Sequence, residues 1–112
     1  MEFYHNPRCR KSREALALLE ERKVNVPIRL YLQESPDAEE LETLLKKLGL
    51  EPEQIIRRGE AIFKEEYKGK DLDRKGWIKA IAEHPKLLER PIFIKGRKAV
   101  IGRPPERVLE LL

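Results

Sequence analysis

Apolar positions along the chain switch between two rhythms, and the switches mark its elements. Residues 1–5 (MEFYH) make a short apolar and aromatic run that predicts a first strand, and Asn6-Pro7 supplies turn chemistry after it. From Arg10 the rhythm turns helical, with Ala15, Leu16 and Leu19 on one face and Arg13, Glu20 and Lys23 elsewhere. Residues 24–32 (VNVPIRLYL) are rich in β-branched and aromatic side chains and predict a second strand. Pro27 cannot donate a ladder hydrogen bond, so it belongs at that strand's start or on a sheet edge. Ser35-Pro36-Asp37 predicts a helix entrance, with Ser35 as cap, Pro36 at the first helical position and acidic residues at the positive dipole end. Leu41, Leu44, Leu45 and Leu48 then repeat at helical spacing, and Gly49 closes the helix.

The remaining elements follow in the same way. Residues 51–58 predict a short helix after Pro52, residues 61–67 another, and residues 73–83 a third with Trp77, Ile78, Ile81 and Ala82 inward. His84-Pro85 ends that helix, because the residue before a proline is pushed out of the helical region. Residues 91–95 and 99–101 predict two short strands joined through Lys95-Gly96-Arg97-Lys98 as a hairpin. Pro104-Pro105 opens a last helix carrying Val108, Leu109 and Leu112. The order is β-α-β, a helical middle, then β-β-α. A β-α-β unit calls for parallel strands with a right-handed crossover, and the late hairpin pairs antiparallel. The expected class is therefore α/β: a mixed four-stranded sheet with flanking helices, the plan of a single thioredoxin-like domain spanning residues 1–112 with a helical insert over about 37–83.

Composition narrows the function classes. At 112 residues the chain has the length of one domain, and no apolar run approaches the ~20 residues a membrane helix needs. Its start, MEFYHNPRCRKS, has no apolar signal core. A net charge of +4 comes from 24 cations against 20 interleaved anions, a mixed rather than polybasic surface. Seven aromatic residues (three Phe, three Tyr, one Trp) are too few for a base-stacking platform, so nucleic acid is not the expected partner. One cysteine and two histidines exclude a disulfide scaffold and argue against a structural metal site; a reducing cytoplasm is the fitting compartment.

That one cysteine, Cys9, falls where the first strand gives way to the first helix. Unpaired backbone N–H groups and the positive dipole end converge there, and Arg8, Arg10, Lys11 and Arg13 add positive charge. All of this favours a thiolate, and the same N–H groups can cradle an oxyanion. The bland alternative is a small buried thiol that only packs. The motif Cys9-Arg10-Lys11-Ser12 is C-x-x-S with no second cysteine in the chain, so an oxidised or adducted Cys9 must be resolved by an external thiol. His5 could tune the thiolate or merely pack; Asn6 could hydrogen-bond within the loop; Ser12 could donate to the sulfur or cap the helix.

The stretch Tyr4-His5-Asn6-Pro7-Arg8-Cys9-Arg10-Lys11-Ser12-Arg13 resembles the active-site loop of the glutaredoxin-coupled arsenate reductase family. Three further stretches match in order: Ile55-Ile56-Arg57-Arg58, the run from His84-Pro85 to Glu89-Arg90-Pro91-Ile92, and Ile101-Gly102-Arg103-Pro104. The chain ends just after its last predicted helix, which resembles the short branch of that family. The resemblance implies that Cys9 is the nucleophile, that Arg57, Arg90 and Arg103 hold the arsenic oxyanion, and that His5, the loop histidine, is a catalytic residue beside Cys9. Guanidinium suits that task, being planar, permanently charged and rich in paired donors. The resemblance also implies a cis peptide before Pro91, lying against the cysteine. It implies reduction of arsenate through a thiol–arsenate adduct that glutathione attacks, with glutaredoxin completing the two-electron reduction and with no metal or bound organic cofactor.

Two other readings fit the same residues. C-x-x-S suits a monothiol oxidoreductase that forms a mixed disulfide with glutathione. A non-enzymatic regulator binding a protein such as RNA polymerase is the third, although the regulators of that kind use C-x-x-C, which is absent.

Overall fold

The first strand, β1 (Glu2–Tyr4), is central to a four-stranded sheet. The computed structural model describes residues 1–112 and divides them into two compact units, one of residues 1–34 and 90–112, the other of residues 35–89. In the first unit, β1 leads into helix α1 (Arg10–Glu21), then strand β2 (Ile28–Arg29); β3 (Ile92–Lys95) and β4 (Lys98–Ile101) complete the sheet in the order β2-β1-β3-β4. β1 pairs parallel to β2 through Phe3 opposite Ile28, and antiparallel to β3 through Phe3 opposite Phe93. β3 and β4 pair antiparallel across a two-residue loop, with Gly96 at φ +62°. A positive φ at the first loop position suits the right-handed twist of the two strands, and glycine takes it without a Cβ penalty.

One face of this sheet carries Phe3, Phe93 and Val100, which pack with Ala15 and Leu19 of α1 and with Val108 of a C-terminal 3₁₀ segment (Pro105–Leu111). The alternation of strand side chains sends Tyr4, Ile92 and Ile94 to the opposite face, where they are also buried. Tyr4 stacks on Tyr31, ring centroids 6.2 Å apart.

The second unit is helical. Helix α2 (Ala38–Leu48) packs its Leu41, Leu44 and Leu45 toward α4 (Arg74–Glu83), which contributes Trp77, Ile78 and Ile81. Between them run a 3₁₀ turn (Pro52–Ile55) and the short α3 (Ala61–Glu66), whose Phe63 stacks on Trp77 at 6.2 Å. A second 3₁₀ turn (Pro85–Leu87) follows α4, and an antiparallel bridge joins Ile56 to Leu88.

Four details differ from the sequence expectations. The second strand is two residues long, not nine, because residues 30–34 fold back through hydrogen bonds from the Gln33 and Glu34 N–H groups to the Leu30 carbonyl. Pro27 does sit at the start of that edge strand, its carbonyl accepting from Phe3 N–H at 2.9 Å. α2 is capped by Asp37, whose carboxylate accepts from Glu40 N–H at 2.8 Å while Glu40 reaches back; Ser35 instead donates to the Ala82 carbonyl. The segments after Pro52 and Pro105 are 3₁₀ rather than α.

Candidate functional site

The loop between β1 and α1 is tied down residue by residue. Cys9 N–H donates to the Asn6 carbonyl at 2.9 Å and Arg8 N–H to Asn6 Oδ1 at 3.0 Å, so Asn6 closes the turn twice. Ser12, fully buried on the first turn of α1, accepts from Asn6 N–H at 3.0 Å and shares a 2.6 Å hydrogen bond with His5 Nδ1. Arg13 donates to the Pro7 carbonyl at 2.9 Å. The helix therefore holds the loop through a hydroxyl and a guanidinium, and both anchors lie one turn beyond Cys9.

Cys9 itself occupies the N-cap position with extended backbone, φ −93° and ψ 121°, and it is half-buried. Burial alone would push its thiol up. Burial is the largest single influence, but the Arg90 side chain, through a hydrogen bond and its positive charge, and the backbone N–H groups of Ser12 and Lys11 together outweigh it. The net result is a thiol that ionises below its ordinary range. His5 moves the other way in charge: burial and then the nearby Arg13 cation lower its pKa, against a smaller pull from Glu20. A neutral imidazole at pH 7 brings no positive charge to the sulfur. Its contact is with Ser12, so His5 acts on the shape of the loop.

Arg90 precedes Pro91 through a cis peptide bond, as the resemblance implied, and the Arg103-Pro104 bond is cis as well. Arg103 is exposed and its Nη1 donates to the Arg90 carbonyl at 3.4 Å. One residue that sequence reading gave no role stands behind these groups. A Cβ on Gly102 would fall 2.9 Å from Pro91 Cγ, 3.1 Å from Val108 and 3.4 Å from Ala15 of α1. Gly102 lets the chain bearing Arg103 lie directly against Pro91 and α1, and a glycine just before an Arg-Pro pair was the available signal. Arg13 was the other omission, visible only as one more cation.

The first unit thus brings together Cys9, His5, Asn6, Ser12, Arg90, Pro91 and Arg103. Arg57 belongs to the helical unit. Its N–H donates to the Leu87 carbonyl at 2.7 Å, and its guanidinium lies 3.3 Å from Glu60 and 3.5 Å from Glu89. Its neighbour Arg58 is engaged differently, 5.4 Å above the Phe63 ring. No three His, Cys, Asp or Glu side chains converge as a metal site, and no helix is long and apolar enough to cross a membrane.

A cysteine at the mouth of α1, hydrogen-bonded by the Arg90 side chain on a mixed β-α-β/β-β-α sheet, defines a protein of thioredoxin-like fold with an activated thiol. The sequence pattern of the ArsC family matches residues 4–111, and the chain belongs to that family. It is 49% identical to an arsenate reductase of Haemophilus influenzae, covering 98% of this chain and 97% of that protein. An arsenate reductase of Neisseria meningitidis is 42% identical, covering 100% and 97%. A solved structure, arsenate reductase from Vibrio cholerae, superposes with a TM-score of 0.95 at 46% identity, covering 100% of this chain and 98% of that one.

Proposed function

We propose that the protein is an arsenate reductase in which Cys9 is the nucleophile and Arg57, Arg90 and Arg103 hold the oxyanion, working in a reducing cytoplasm. The observation that carries this reading is Cys9 at the N-cap of α1, its sulfur hydrogen-bonded by the Arg90 side chain and by the Ser12 and Lys11 N–H groups. A thiolate attacks arsenic, one oxygen leaves as water, and an S–As bond forms. An external thiol then bonds to Cys9 Sγ as the S–As bond breaks. The electron pair stays on arsenic, which falls from the +5 to the +3 state as two thiol sulfurs become one disulfide. Since the chain has no second cysteine, the resolving thiol comes from outside; glutathione fits that role, with glutaredoxin reducing the mixed disulfide by thiol exchange. His5, Asn6, Ser12 and Pro91 support the loop. The relatives named above support the choice of arsenate as the oxyanion.

Alkylation of Cys9 tests the reading. Arsenate is expected to slow iodoacetamide labelling in a saturable way, and Cys9→Ser to abolish thiol-dependent arsenite formation while the fold persists. Labelling indifferent to arsenate, with glutathionylation retained, would instead indicate a monothiol glutathione-linked oxidoreductase. Arsenite formation by Cys9→Ser would overturn the mechanism.

A further inference from the structure

Within the helical unit, Arg57 is built into a frame with two glutamates. The antiparallel bridge between Ile56 and Leu88 is flanked by two backbone hydrogen bonds, Arg57 N–H to the Leu87 carbonyl at 2.7 Å and Glu89 N–H to the Ile55 carbonyl at 2.9 Å. Glu60, the N-cap of α3, donates its own N–H to the Arg57 carbonyl at 3.3 Å. Their carboxylates face different nitrogens of the guanidinium: Glu60 Oε1 lies 3.3 Å from Nε, and Glu89 Oε1 lies 3.5 Å from Nη1. Both nitrogens are shut off from solvent, and neither makes a hydrogen bond. The carboxylates therefore hold the guanidinium by charge, at contacts longer than the roughly 2.7–2.9 Å of a charge-assisted hydrogen bond. The Arg57, Glu60 and Glu89 side chains are 23%, 27% and 28% exposed, so the group can meet a ligand from solvent.

We infer that Glu60 and Glu89 make the Arg57 position selective for a protonated oxyanion, one with a hydroxyl to donate; the inference rests on the reading of Arg57 as an oxyanion ligand. A guanidinium offers an anion two bidentate edges, Nε with Nη2 and Nη1 with Nη2. On each edge of Arg57 one nitrogen already faces a carboxylate. An anion that takes either edge brings one of its oxygens against Glu60 or Glu89. If that oxygen is bare, two negative charges meet in a half-buried place where water screens them poorly. If it bears a proton, it donates a short hydrogen bond to the carboxylate while its neighbours accept from Arg57. Arsenate and phosphate keep at least one hydroxyl near neutral pH; sulfate keeps none. One guanidinium between two carboxylates has no net positive charge, so attraction alone does not favour an anion there. A donated hydrogen bond supplies what the charge count lacks.

Phosphate and sulfate, which thiols do not reduce, serve as equilibrium ligands of the full chain, read by thermal shift and by slowed alkylation of Cys9. The unaltered chain is expected to prefer phosphate. Glu60→Gln combined with Glu89→Gln keeps the side-chain shapes and removes both charges. It is expected to cut the phosphate-to-sulfate preference about tenfold, the scale of one hydrogen bond to a charged group, chiefly by tightening sulfate. The two single variants show which carboxylate takes the hydroxyl, and aspartate at that position should restore part of the preference. A ratio unmoved in the double variant, or in both single variants if the double fails to fold, overturns the inference. So does equal weakening of both ligands, which would make the glutamates mere props for Arg57, and equal strengthening, which would make them a general repulsion. Arg57→Leu separates the two levels. If it leaves both ligands bound as before, the oxyanion reading of Arg57 falls and takes the inference with it. If it weakens both while the glutamine variants leave the ratio unmoved, the selectivity alone falls.

Discussion

Burial and hydrogen bonding pull the Cys9 sulfur in opposite directions, and Arg90 supplies the first-ranked of the lowering contacts. Replacing Arg90 with leucine removes both a donor and a charge while burial remains, so the midpoint of the pH–alkylation profile should move up and the labelling rate at neutral pH should fall. Lys11 and Ser12 N–H groups persist in that variant, so an unmoved midpoint would assign the lowering to the helix alone. His5 gives a second pH effect of definite sign. Its folded pKa is lowered, so the native state favours the neutral ring; that contribution to stability is complete above the unfolded value, about 6.5, and is lost as pH falls from there through the folded value. Arg13→Met should raise the His5 pKa, read from the imidazole proton shifts, yet leave it below the ordinary value because burial is the larger cause. Much of this was legible in the sequence, since Cys9 and its helix are local to one stretch. The Arg13 and Gly102 contacts were not, because they depend on which carbonyl and which proline the fold brings near.

At the scale of elements, α1 differs from the other long helices at both ends. α2 and α4 begin with Asp37 and Asp73, each accepting a backbone N–H, whereas α1 begins with Cys9 and has no side-chain cap. An uncapped start forgoes about 1 kcal/mol and leaves the N–H groups available to a sulfur or an oxyanion. At its C-terminal end, Lys23 takes φ +61°, with Val24 N–H bonding to the Leu19 carbonyl, the position where glycine usually stands. Left-handed backbone costs a non-glycine residue roughly 1 kcal/mol. Lys23→Gly is therefore expected to raise the melting temperature by a few degrees without touching Cys9 labelling; a lower melting temperature would show that the unfolded-state entropy of glycine outweighs relief of the strain. The patterns of α1, α2 and α4 were read from the sequence nearly to their ends because their spacing is local. The second strand was not. Residues 24–32 carry strand-type side chains, but only Ile28 and Arg29 pair, and Tyr31 is buried from a turn. Propensity marks a residue for burial without saying which geometry buries it.

Over the whole molecule, the sheet unit is closed by strands from the two ends of the chain, with β1 central between β2 and β3. Short strands at residues 92–95 and 98–101 are predictable, but their pairing to β1 is a long-range event that no local pattern records. Stability of that unit is consequently linked to whatever binds across those segments, and Cys9 and Arg90 come from opposite ends of the chain. Arsenate carries one to two negative charges near neutral pH, so the proposed guanidinium site would bind it in the native chain and not in the unfolded one. At ten times its Kd such a ligand adds about 1.4 kcal/mol, several degrees for a domain of this size. Cys9→Ser should keep this thermal shift, because charge rather than the sulfur holds the anion. Arg57→Leu, Arg90→Leu and Arg103→Leu should each shrink it, and rising ionic strength should shrink it further. Equal concentrations of chloride should give none of it. A shift that survives all three arginine replacements would place the oxyanion elsewhere on this basic surface, and loss of the shift with Cys9→Ser alone would mean that the covalent bond, not the guanidiniums, supplies the affinity.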